Sequence, residues 1–234
     1  MTKFYLFLFS LLVTINVSCL AQFTASDLNH LHNTAAYKGG KDELARVLAK
    51  NIRFPQGDFM SKKLITIVGV LKIDRKGEIV EVGTLHKADE SYTAAFKNVV
   101  EKTKGKWEAT NDTAKYFYAV IPVQFNYMDS GYTLFDANKL AYFQETIVVT
   151  VAGARGAFAG LYEKYESELI TQVNELSKKE AYSEAVKPMA ELVNLQPLHT
   201  GYYDPLIGLL KKAGNTAEAA HYEQVKALLA GQNQ

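Results

Sequence analysis

The chain has 234 residues, 48% of them hydrophobic and 22% charged, the proportions of a folded globular protein rather than a disordered one. Lys and Arg total 26 against 25 Asp and Glu, with no long run of either sign. That excludes the basic stripe with which proteins neutralise phosphates, so nucleic acid is not an expected partner.

The chain opens with MTKFYLFLFSLLVTINVSCLAQ, in which one early charge, Lys3, precedes an apolar run from Phe4 to Val17. That run is too short to span a bilayer comfortably and ends in small and polar residues, the pattern of a signal peptide. Cleavage after Ala21 is expected, leaving Gln22 first and the protein in the periplasm. Lipidation of Cys19, giving an anchored lipoprotein, is the alternative; that signal wants an apolar residue where Asn16 stands. An uncleaved anchor fits the polar exit Asn16-Val17-Ser18 poorly. Because Cys19 is the only cysteine, either processing route leaves no free thiol and no disulfide.

Residues 22–36 read as a polar leader segment. It holds His30 and His32, a spacing that could put two metal ligands on one side of a strand, but only Asp27 stands near them. No metal is expected there. From Lys41 the apolar residues Leu44, Val47, Leu48 and Ile52 recur at three and four positions, one stripe of a helix. Gly39-Gly40 permits a tight entry, and Pro55 bars helical geometry at Phe54 and ends the element.

Lys63 to Ile73 is rich in β-branched residues, Asp74-Arg75-Lys76-Gly77 is a turn, and Glu78 to Leu85 returns: a hairpin. Ser91 to Thr103 is helical, with Tyr92, Ala95, Phe96, Val99 and Val100 on one face, and Asp89-Glu90 supplies its acidic start. A strand then runs from Lys115 to Tyr127, with Phe117, Ala119, Ile121, Val123, Phe125 and Tyr127 on its core side. Pro122 lacks an N–H, which places this strand at an edge or bulge. Its other face offers Tyr116, Tyr118, Val120 and Gln124, either to a partner or as cover for the connector and helices that follow.

Five features occur in order: Tyr37-x-Gly39-Gly40, Asn51-x-x-Phe54-Pro55, Asp74-x-x-Gly77, Trp107, and Pro122-Val123-Gln124-Phe125. Together they resemble the TonB C-terminal domain family over residues 37–128. The resemblance implies a small α+β domain (helix, β-hairpin, helix, strand) with an antiparallel sheet, and a last strand that takes up an extended peptide by edge pairing. The partner-binding residues it points to are Tyr116, Tyr118, Val120, Pro122 and Gln124. The chain departs from the family in having Trp107-Glu108-Ala109 where Trp-x-Pro is common. It also has only five prolines and no proline-rich spacer.

Residues 129–159 read as a connector of unassigned structure; Gly153, Gly156 and Gly160 suggest a bend or close packing. From 160 to 234 the pattern is helical. Ala185 and Ala219, like Tyr182 and Thr216, are offset by 34 residues, and Pro197 follows Ala185 by 12. This resembles one and a half to two degenerate tetratricopeptide repeats, in which small residues let paired helices approach closely.

His86, His199 and His221 are scattered over different elements, and no Gly-x-Ser-x-Gly elbow occurs. No catalytic residue, cofactor or small-molecule substrate is expected. The favoured expectation is a non-enzymatic periplasmic interaction module binding an extended segment of a cell-envelope or outer-membrane protein, associated with TonB-dependent transport across the outer membrane. The alternative is an envelope scaffold that binds through its helices.

Overall fold

The structure, a computed structural model, describes residues 23–55, 61–110 and 113–231. The expected signal segment, Cys19 and the expected cleavage position after Ala21 lie outside the described residues. The elements in order are α1 (Ala25–Leu28), β1 (Ala35–Tyr37), α2 (Gly40–Asn51), β2 (Ile65–Asp74), β3 (Ile79–Thr84), α3 (Glu90–Val100), β4 (Trp107–Ala109), β5 (Tyr116–Tyr127), β6 (Ile147–Val151), α4 (Leu161–Lys178), α5 (Tyr182–Leu195), α6 (Tyr203–Lys212) and α7 (Thr216–Leu229). The class is mixed α+β. One sheet has the order β3-β2-β5-β6, and β1 and β4 form a separate antiparallel ribbon.

The punctuation of the sequence becomes local geometry. Gly40 opens α2 at φ +77°, a left-handed conformation that glycine adopts without a Cβ clash. At the hairpin, Asp74 Oδ1 accepts from the amides of Lys76 and Glu78 at 2.8 and 3.0 Å. Gly77 follows at φ +84°, where a Cβ would stand 2.2 Å from the Trp107 carbonyl oxygen. Asp89 caps α3 by accepting from the Ser91 amide. Trp107 is buried; its indole N–H donates to Thr103 Oγ1 at 3.0 Å, and its ring meets Tyr37 edge to face. Phe54, set after α2, packs edge to face on Phe125 and Tyr92. The residues that carry the motif are therefore the hinges and plugs of one small core.

Alternation along β2 and β5 gives the sheet two apolar faces. Ile65, Ile67, Leu71 and Ile73, with Phe117, Ala119, Ile121, Val123 and Phe125, close against α2, α3 and the ribbon. Val68, Val70, Tyr118 and Val120 point the other way, into a core with Leu85, Met189, Leu192, Leu206, Leu210, Tyr222 and Val225. The helices are thus the second cover of the sheet. Two independently folding halves are not what the packing gives: a helix-free sheet would expose side chains worth about 1.5–3 kcal/mol each on burial.

The leader is also part of this core, with Phe23, Leu28 and Leu31 each about 1% exposed and α1 lying against α7. The connector contributes β6, which pairs parallel to β5, so the main sheet is mixed rather than antiparallel.

The helices form two hairpins, α4/α5 and α6/α7, joined by turns of three residues. Helices α5 and α7 begin 34 residues apart, and the corresponding Ala185 and Ala219 are wholly buried.

Candidate functional site

Strand β5 lies in the interior of the sheet, and this corrects the expectation of an edge. One side pairs with β2 from Asp74 opposite Tyr116 to Ile65 opposite Phe125. The other side is covered in three pieces by the chain itself. The Tyr118 amide donates to the Asn33 carbonyl at 2.7 Å, the Gln144 amide to the Val120 carbonyl at 2.8 Å, and β6 pairs with Val123 through Tyr127.

Pro122 signals a bulge rather than an edge. The Val68 carbonyl is turned to Leu85 at 2.9 Å, so Val68 and Pro122 are a non-hydrogen-bonded pair and position 122 faces away from β2. There the chain advances four residues, from Phe143 to Ile147, while β5 advances three, from Val120 to Val123. A missing N–H costs nothing where the ladder is already interrupted.

The five residues marked for a partner are consumed by the fold. Tyr116 is half-buried beneath the Lys72 ammonium, 4.8 Å from its ring centre. Tyr118 is 3% exposed and donates to Asp27 Oδ1 at 2.8 Å; Val120 is in the helix-side core. Pro122 is buried, and Gln124, also buried, donates to the Tyr132 carbonyl at 3.3 Å.

Asp27 anchors the leader: it accepts from Lys72 Nζ at 2.6 Å and from Thr24 Oγ1 at 2.7 Å as well as from Tyr118. Burial opposes its charge, but these donors hold its carboxyl at about 2. His30 and His32 are exposed, their ring centres 6.2 Å apart at the rim of a shallow cleft beside Tyr116. Among the described residues no group of three or more His, Cys, Asp or Glu could hold a metal ion.

A second cleft, of about 530 Å³, opens where the connector crosses the helices. Tyr162 and Glu166, one turn apart on α4, face it together. Tyr202, just before α6, and His199 also line it, with the exposed Phe135 and Asp136 of the connector. Glu166 Oε1 accepts from the hydroxyls of both Tyr162 (2.8 Å) and Tyr202 (2.6 Å). The His199 ring lies 4.7 Å from Phe135 and 4.6 Å from Tyr202. Gln196 secures the connector, donating to the Thr133 carbonyl and accepting from the Phe135 amide, both at 2.8 Å. Burial pushes the Tyr162 hydroxyl up to about 12, with Glu166 adding to the effect, so it remains a donor at neutral pH.

Sequence reasoning missed this group because its members come from three elements and one of those, the connector, has no legible period. The one local signal was Tyr162 and Glu166 at i and i+4 on a helix.

Compared with protein-family models, with curated proteins and with solved structures, the chain matches none. The TonB-like and tetratricopeptide-like resemblances therefore rest on the quoted residues alone.

Proposed function

We propose that this chain is an exported, non-enzymatic interaction module of the cell envelope, which binds a segment of a partner protein through its helical half. The fold that goes with this reading is a TonB C-terminal-like sheet unit, residues 37–128, roofed by two tetratricopeptide-like hairpins. The motif residues support the first part, and the 34-residue offset of α5 and α7 supports the second.

One observation carries the choice of surface. The outer side of β5, which the family resemblance would give to a partner, is filled by residues 33–34, 143–144 and β6 of the same chain. The cleft of Phe135, Tyr162, Glu166, His199 and Tyr202 is open. A role beside outer-membrane transport follows only from the family resemblance and is part of the proposal.

A second reading has its own observation. β6 is now a terminal strand of the sheet, and Val148 on it is 50% exposed, a side chain that strand addition would cover.

Photocrosslinking in cells separates the two. A crosslinker at position 135 is expected to trap a discrete partner, and one at position 148 to trap none. Capture from 148 alone moves the site to the sheet edge; capture from neither defeats the interaction reading.

A further inference from the structure

We infer that the cleft between the connector and helices α4 and α6 is a receptor for a basic side chain, lysine or arginine, carried by the partner segment. This rests on the proposed interaction role and adds the chemistry of what is recognised.

The composition of the cleft sets the sign of its ligand. It presents the carboxylates of Glu166 and Asp136 and no Lys or Arg. Glu166 forms no ion pair with any described residue, and its Oε2 takes no hydrogen bond from one. An unneutralised carboxylate in a concave wall attracts cations.

The rings set the class of cation. Phe135, His199, Tyr202 and Tyr162 line the same cleft as this carboxylate; the two tyrosines touch it, and the His199 ring bridges Tyr202 and Phe135. Aromatic faces attract organic cations through the ring quadrupole and accommodate their alkyl stems by apolar contact. A hard metal ion would want several oxygen ligands instead of rings.

The wall is preorganised. Both tyrosine hydroxyls are spent on Oε1, which fixes the two rings, and Oε2 is left without a donor among the described residues. Tyr162 is itself stacked on Tyr132, 5.4 Å away and 14° from parallel, so its ring does not have to be ordered on binding.

The test titrates the purified protein, with ring-labelled tyrosine, by NMR. The probes are acetyl-Ala-Lys-Ala-amide, its arginine counterpart, the neutral norleucine counterpart and n-butylammonium. Tyr162→Phe and Tyr202→Phe assign the two rings. The lysine or arginine peptide is expected to move both resonances and to bind at least tenfold more tightly than the norleucine peptide. Glu166→Gln keeps an acceptor for the two hydroxyls, and it should reduce that affinity at least fivefold while leaving the norleucine response unchanged. Asp136→Asn, on the exposed rim, should reduce it about twofold without affecting folding. Equal binding of charged and norleucine peptides overturns the inference, and does so without touching the interaction role if position 135 still crosslinks a partner. Butylammonium binding as tightly as the peptides would make this a small-amine site and overturns it as well.

Discussion

The amide of Tyr118 donates to the carbonyl of Asn33 over 2.7 Å, joining the middle of the sheet to the segment that precedes the first strand. One of the five residues that the sequence marked for a partner is thereby paired with its own chain. Its side chain is paired too, with Asp27 of the same segment. The consequences of this closure can be measured.

Unfolding should be one cooperative event. Val68, Val70, Tyr118 and Val120 of the sheet share a core with Met189, Leu206 and Tyr222 of the helices. Calorimetry is expected to give a single transition with matching calorimetric and van't Hoff enthalpies, and residues 37–128 expressed alone should aggregate. Two separated transitions would show that the faces of the sheet fold independently.

Asp27→Ala should destabilise the protein by about 2–4 kcal/mol, because it leaves the Lys72 ammonium and the Tyr118 hydroxyl without their shared acceptor. Of its ion pairs Lys72 keeps only the longer one with Glu81 at 3.8 Å, beside its contact with the Tyr116 ring. In the folded state the Asp27 carboxyl titrates at about 2, below its ordinary 3.8. Its stabilisation is therefore complete above pH 4 and is lost as pH falls towards 2. Denaturant melts of wild type and Asp27→Ala at pH 7 should differ by that amount and converge at the acid end.

His86 should control stability at milder acidity. It is wholly buried between the sheet and α7, and neither ring nitrogen has a hydrogen-bond partner. Burial lowers its pKa to about 3; the Thr66 backbone approaches and opposes the shift without reaching hydrogen-bond geometry, and His221 reinforces it. The unfolded chain takes up this proton near pH 6.5 and the folded chain does not, so stability falls as pH drops from 6.5 towards 3. The contribution is up to about 1.4 kcal/mol per pH unit. His86→Leu should flatten the dependence in that window; an unchanged slope would assign it to other groups, beginning with His221.

Tyr132→Phe tests how the connector is fastened. The Tyr132 hydroxyl sits between Thr66 Oγ1 on β2, 2.5 Å away, and the Leu195 carbonyl at the end of α5. Both partners are buried. Removing the hydroxyl should cost about 1–3 kcal/mol, read from chemical denaturation, with no change in volume to confuse the result.

Export gives a direct mass measurement. The protein recovered from cells should begin at Gln22, and its intact mass should carry no lipid. A mass retaining residues 1–21, or a lipid on Cys19, would overturn the proposal of a cleaved, periplasmic protein.

The sequence by itself determined the local elements: α2 between its glycines and Pro55, the hairpin at Asp74–Gly77, α3 after its acidic start at Asp89-Glu90, and the 34-residue offset of Tyr182 and Thr216, where α5 and α7 begin. Each rests on interactions a few residues long, such as the Asp74 carboxylate on nearby amides, and these are fixed by residue type and spacing. Alternation along Lys115–Tyr127 also named the apolar face turned to α2 and α3. It could not say what covered the other face, because Tyr118 and Val120 look the same whether they meet solvent, a partner or Met189. Only the tertiary structure decided that, by folding residues 23–34 and 143–151 onto the outer side of β5 and the helices onto its second face. The cleft with Glu166 belongs to the same class. Tyr162, His199, Tyr202 and Phe135 come to line one cleft only when segments more than sixty residues apart are brought together, and pairings at that range leave no period in the chain.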